Sequence, residues 1–344
     1  MPTFVTATVA ELLSERPGLQ RVRLDDGSRA VALTELTGPV AAGDDVVVNT
    51  TAVELGLGTG GWHVVHWNLT RREWRQAGGG HIMKLRYTSL QADVAAVEEH
   101  QPGTGWPDLG GRPVVLCSLH SQVGVVTAVL ADTVPDARVV YVMTDGGALP
   151  LALSDLAAEL RDRSLLAATV TAGHAFGGDH EAVSFPSALD VAVRVAGADI
   201  VVAGMGPGVV GTGSTLGTTA VELGPGVDAV AALGGVPIVA ARTSAADARS
   251  RHSGLSHHTA TALRLAARPA VVAHAEGTAA FTVPEPHRQE TVAVPIVADV
   301  LARQGVDVRT MGRGPAEDPL FFATTAAAAV LAAQRHRARG TVPG

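Results

Sequence analysis

Asp199-Ile200-Val201-Val202-Ala203-Gly204-Met205-Gly206-Pro207-Gly208-Val209-Val210-Gly211-Thr212-Gly213-Ser214-Thr215-Leu216-Gly217 is the stretch that decides the fold. It opens as an apolar run of strand length, the pattern of a strand buried on both faces. It then empties into a loop with six glycines in fourteen residues. Glycine costs conformational entropy, so this density implies unusual φ/ψ or close approach of a ligand. Backbone N–H groups in such a loop can converge on one anion. Gly206, Gly208, Gly211, Thr212, Gly213, Ser214 and Thr215 are therefore the candidate anion-binding set.

The same rhythm continues outward. Apolar runs at Pro113–Leu119, Arg138–Met143, Leu165–Ala172, Val236–Ala241 and Pro269–His274 alternate with helical patterns. Those patterns cover Gln122–Leu130, Ser154–Arg163, Ser187–Ala196, His258–Ala267 and Phe321–Arg337. Continuous apolar strands alternating with amphipathic helices predict a doubly wound, mostly parallel α/β sheet covered on both faces. Residues 3 to about 70 read differently. Phe4–Val9, Gln20–Leu24, Arg29–Thr34 and Asp45–Asn49 are short β-rich runs, and Asp25-Asp26-Gly27 is a hairpin turn. Strands this short need closure, so a small β-barrel is expected. Arg71–Gly80 reads as a linker, giving an all-β domain over 1–78 and an α/β ligand-binding domain over 79–344.

In a parallel sheet, ligands bind outside the carboxyl ends of the strands. The first three runs end in Ser118-Leu119-His120, in Thr144-Asp145-Gly146-Gly147 and in Gly173-His174-Ala175-Phe176-Gly177-Gly178-Asp179. His120, Asp145, His174 and Asp179 are the candidate catalytic residues. A histidine has an unperturbed pKa near ~6.5, suited to proton transfer, and an aspartate could orient it. Arg313, between Gly312 and Gly314, is a candidate anion clamp, with a turn and helix cap as the bland reading. Gly206 to Gly211 also matches GxGxxG. A dinucleotide fold wants a helix next and an acidic residue about 20 positions on, and neither is evident.

Thirteen histidines are present. Three of them, His252, His257 and His258, fall in Arg251–Thr259 before a helix. They are candidate ligands for a divalent metal, or exposed residues behind a Ser256 N-cap. No HExxH, paired-cysteine, GxSxG or phosphate-loop lysine pattern occurs. Lys84 is the only lysine, so Schiff-base chemistry would have to use it. Cys117, the only cysteine, lies in an apolar run and excludes an internal disulfide. In the first domain, Leu55-Gly56-Leu57-Gly58-Thr59-Gly60-Gly61 with Trp62, His63, His66 and Trp67 reads as a lid or docking loop, or as barrel packing.

The chain has 344 residues, 47% hydrophobic and 17% charged, with a net charge of −7. That composition suits a sizeable core. Without a basic stripe, nucleic acid is not expected as a partner. No leader pattern and no apolar run of ~18 residues is visible, so a cytoplasmic protein outside the membrane is expected.

Val48–Gly61, Gly80–Thr88, Gly173–Asp179, the Gly206–Gly217 loop and Ser256-His257-His258-Thr259 together resemble a bacterial family of unknown function, common in actinobacteria. The resemblance covers nearly the whole chain. It implies a cytoplasmic bacterial protein and carries over no activity. The residues themselves favour an enzyme that hydrolyses, or transfers a group from, a phosphorylated or otherwise anionic small molecule at the carboxyl edge. A metabolite sensor with a partner-docking β domain and a dinucleotide-dependent oxidoreductase are the alternatives. The cofactor is unknown, a divalent metal being one candidate, and homo-oligomerisation is left open.

Overall fold

Short strands do close on themselves in the first part of the chain. The computed structural model describes residues 1–57 and 60–340. β1 (Phe4–Arg16), β2 (Leu19–Leu24), β3 (Arg29–Ala32), β4 (Asp45–Asn49) and β5 (Trp62–Asn68) form a closed barrel in the order β1-β2-β3-β5-β4. β3 and β5 pair in parallel, and β1 pairs with both β2 and β4. This is a five-stranded Greek-key barrel of the OB type. Two register shifts in β1, between Val9 and Glu11 and between Leu12 and Ser14, interrupt its ladder with β2; such irregularities let one strand serve two neighbours. Val9, Val22, Leu24, Ala30, Val46, Val48 and Val65 fill the interior. Helices α1 (Thr34–Thr37) and α2 (Thr51–Glu54) are single turns between strands. Trp62 packs as barrel surface, with the guanidinium of Arg29 4.5 Å from its ring centre. Gly58 and Thr59 of the candidate lid lie outside the described residues. The hairpin β6 (Ile82–Lys84) and β7 (Ala92–Val94) groups with this unit, which spans Met1–Ala95.

The second unit begins at Ala96. In chain order it comprises α3 (Val97–His100), β8 (Pro113–Cys117), α4 (His120–Thr133), β9 (Val139–Thr144), α5 (Asp155–Asp162), β10 (Ala168–Ala172) and β11 (His180–Ala182). Then come α6 (Phe185–Asp190), β12 (Ile200–Met205), α7 (Leu223–Ala232), β13 (Val236–Ala240), β14 (Thr243–Ser244), β15 (Gly254–Leu255) and α8 (His257–Leu265). β16 (Val271–Ala275), β17 (Arg288–Val292), α9 (Val297–Gln304) and α10 (Pro319–Gly340) complete it. Eight strands form one sheet in the order β11-β10-β9-β12-β8-β13-β16-β17, and every pairing is parallel. Alternate strand residues serve two cores. Val115, Tyr141, Val202 and Ile238 pack with α4, α9 and α10 on one face. Val114, Val140, Val201 and Val239 pack with α6, α7 and α8 on the other. The doubly wound sheet with a preceding β-barrel is thus present. Among the described residues, no helix is long and apolar enough to cross a membrane.

The order of travel positions the site. From β8 the chain steps outward to β9 and β10, then returns to insert β12 between β9 and β8. The loop leaving β12 therefore emerges where the winding direction reverses, the place where open α/β sheets form a crevice.

Candidate functional site

His120 is the first residue of α4. Its Nδ1 lies 3.1 Å from the Met205 carbonyl, which can only accept, so Nδ1 carries the proton. Nε2 then accepts from the Ser154 hydroxyl at 2.6 Å, while Ser154 caps α5 by accepting the Ala157 N–H. Burial pushes the imidazole down to about 4. His120 is a neutral, fully partnered ring at the wall of a cleft of about 420 Å³ shared with Gly208 and Met311. Neither candidate aspartate orients it. Asp145 Oδ2 accepts the backbone N–H of His174 at 3.1 Å, so these two candidates are adjacent. Asp179 lies elsewhere. It accepts the Thr169 N–H at 2.7 Å and pairs with Arg161. The segment after β10 turns back into β11, which runs parallel to it with Val170 beside His180. That register sets Asp179 near the amino-terminal half of β10 rather than at the carboxyl edge.

The glycine-rich segment closes on itself as an exposed hairpin, with Gly211 bridged to Thr218. Thr212 N–H donates to the Gly217 carbonyl, Ser214 N–H to Thr212 Oγ1, and Gly217 N–H to Ser214 Oγ. Much of its glycine content answers to protein neighbours. A Cβ on Gly206 would stand 2.4 Å from the Ala148 carbonyl oxygen. One on Gly211 would stand 2.7 Å from His258 Cε1, and one on Gly217 2.4 Å from Thr212 Oγ1. Gly213 meets nothing within 4 Å, so its bare backbone serves no packing need. The segment leads into a 3₁₀ turn, Thr219–Glu222, and not directly into the α-helix of a dinucleotide fingerprint.

Gly211 points to the most concentrated chemistry in the chain. His252, His257 and His258 each offer a ring nitrogen, and these atoms lie within 4.8 Å of one another. His252 and His258 are buried at 1% and 4% exposure. His252 Nδ1 is 2.8 Å from Ser256 Oγ, and His258 Nδ1 is 3.4 Å from Thr218 Oγ1. The Nε2 atoms of His257 and His258 are buried without a partner, a costly state that a bound cation would relieve. Burial, reinforced by nearby arginines, lowers all three rings, His252 to about 3 and His258 to about 4, so they are neutral at pH 7.

A cationic wall adjoins the imidazoles. Arg242 lies 3.5 Å from Asp247, Arg249 2.7 Å from Asp247, and Arg313 3.2 Å from Asp318. Asp318 is fully buried and accepts from Ser244 Oγ at 2.6 Å. Three arginines thus share two carboxylates, and the charge of Arg251 is felt at His257 and His258. Arg313 is one of the sequence candidates. Arg242, Asp247, Arg249 and Asp318 were not singled out. The signal available was Ser244-Ala245-Ala246-Asp247-Ala248-Arg249, a turn directly after β14.

Glu222 was missed too. It closes the 3₁₀ turn after the glycine hairpin and accepts from Thr144 Oγ1 at 2.6 Å. Burial pushes its carboxyl up to about 7, with help from the negative charge of Asp145. Gly146 makes room for it, since a Cβ there would stand 2.4 Å from Glu222 Oε2.

Comparison with known proteins adds one finding. The family model described as "Protein of unknown function (DUF3866)" matches residues 29–329, and the chain belongs to that family. No curated protein and no solved structure matches the chain.

Proposed function

We propose that the protein is an enzyme that holds a divalent metal ion on His252, His257 and His258 and hydrolyses, or transfers a group from, a small anionic substrate. The observation that carries this reading is the pair of buried, unpartnered Nε2 atoms beside a third imidazole and a wall of arginines. A metal held there supplies Lewis acidity and brings a bound water toward neutral pKa. The chain's own groups do the rest. Ser256 and Thr218 would accept the Nδ1 protons of His252 and His258 and fix those rings, leaving Nε2 of His258 for the ion. Arg242 and Arg249, braced by Asp247, and the exposed Arg251 attract and orient a phosphate or carboxylate. Gly211 keeps the hairpin backbone against His258 without crowding the ring. A bacterial cytoplasm is the proposed setting, supported by the single, buried Cys117 and by the motif resemblance.

The test is turnover of a panel of phosphomonoesters, nucleotides and carboxylic esters by full-length protein stripped of metal and reloaded with Zn²⁺, Mn²⁺ or Fe²⁺. Activity that depends on the reloaded ion and collapses in His258→Gln supports the reading. Equal turnover before and after stripping would refute the metal role. Metal-dependent binding of these anions with no turnover would make the site a metabolite sensor instead.

A further inference from the structure

A second cavity, of about 250 Å³, opens at the carboxyl ends of β8, β9 and β12 on the face covered by α6 and α7. Leu116, Ala203, Gly204, Leu223 and Gly226 form an apolar floor. Asp145, Pro186 and Pro225 are exposed at its mouth, and Glu222 stands between floor and mouth. We propose that this cavity binds a small organic ammonium ion with a compact apolar body, its cationic head held between Asp145 and Glu222.

Size makes the cavity a site rather than a packing defect. An engineered apolar cavity of about 150 Å³ already takes benzene. Close-packed interiors hold few voids larger than a water molecule. Charge decides the ligand class. The lining contains two carboxyls and no lysine, arginine or histidine. Glu222 accepts from Thr144 and Gly146, neutral donors that leave its negative charge unbalanced. A group so placed resists ionisation until a cation arrives, and the upward shift of Glu222 to about 7 is that resistance. Anions are turned away by the same carboxyls. A compact apolar body covers Leu116 and Gly226. The inference is independent of the imidazole centre.

Isothermal titration of full-length protein with cyclohexylammonium, cyclohexanol and cyclohexanecarboxylate tests it. Cyclohexylammonium is expected to bind about tenfold tighter than cyclohexanol or better, and cyclohexanecarboxylate not at all. Asp145→Asn and Glu222→Gln should each weaken the ammonium, and Ala229→Leu, which fills the cavity, should abolish its binding. Gly226→Ala is the milder filling variant, because its Cβ would sit 3.5 Å from Leu116 and 3.6 Å from Phe185. It should weaken binding even where Ala229→Leu disturbs folding. Cyclohexanol binding as tightly as the ammonium, or ammonium binding unchanged in both filling variants, overturns the proposal. Metal content should be the same in all four variants, so failure here leaves the imidazole reading standing.

Discussion

Thr50-Thr51-Ala52-Val53-Glu54-Leu55-Gly56 and Thr218-Thr219-Ala220-Val221-Glu222-Leu223-Gly224 are the same seven residues. Both open a short helical turn, yet they share almost no environment. In the barrel copy Thr50 Oγ1 donates to Glu54, so the turn closes on itself. Leu55 is 67% exposed, and Gly56 adopts φ +63°. In the sheet copy Thr218 Oγ1 faces His258 and Glu222 accepts from Thr144. Leu223 is 4% exposed, and Gly224 lies inside α7. One heptapeptide is a local cap. The other supplies an oxygen to the imidazole centre and a carboxyl to the acidic cavity. Local sequence sets the turn, and tertiary neighbours decide whether its side chains become chemistry.

Paired substitutions sharpen this contrast. The largest difference is expected at the closing glycines. A Cβ on Gly224 would stand 2.7 Å from the Ala262 carbonyl oxygen, whereas Gly56 has open space around it. Gly224→Ala should cost about 2–3 kcal/mol through overpacking, and Gly56→Ala about 1 kcal/mol through its positive φ. Equal costs in denaturant unfolding would show that the two turns are held alike.

The glutamates come next. Glu222 titrates near 7 in the folded protein, above its ordinary 4.5, so folding favours its protonated form. Its contribution to stability is fully present below about pH 4.5 and is lost as pH rises through 7, by roughly 3 to 3.5 kcal/mol in all. Glu222→Gln should flatten the stability profile between pH 5 and 9 relative to wild type. A wild-type profile already flat in that window removes the buried acid.

At the threonines, Thr218→Val should weaken metal retention about 10- to 100-fold by releasing the His258 ring, and Thr50→Val should leave it unchanged. Competition with a chromogenic chelator reads both. Smallest of all, Glu54→Gln should alter stability by less than about 0.5 kcal/mol, as exposed substitutions do.

The sheet was legible because buried strands such as Val139–Met143 and Ile200–Ala203 are uninterrupted apolar runs between amphipathic helices. Its edges were not. β11 is three residues long, and β17 reads Arg288-Gln289-Glu290-Thr291-Val292, too polar for a buried strand. α7 was hidden because Gly224-Pro225-Gly226 looks like a turn, although proline is tolerated in a first helical turn. Histidine density exposed His252, His257 and His258 directly. Their supports did not show, because Thr218 is 40 residues from His258 and Asp318 is 74 from Ser244. The glycine density suggested close approach of a ligand. At Gly206, Gly211 and Gly217 the approaching group is the protein itself.

Elemental analysis of the chain purified without chelator tests the central claim most directly. About one transition-metal ion per wild-type chain, falling below about a tenth in the His252→Gln/His258→Gln double variant, is the expected result, with a chelator lowering the wild-type melting temperature. Wild-type protein with less than about a tenth of an ion per chain, and no rise in melting temperature on titration with Zn²⁺, Mn²⁺ or Fe²⁺, would contradict it.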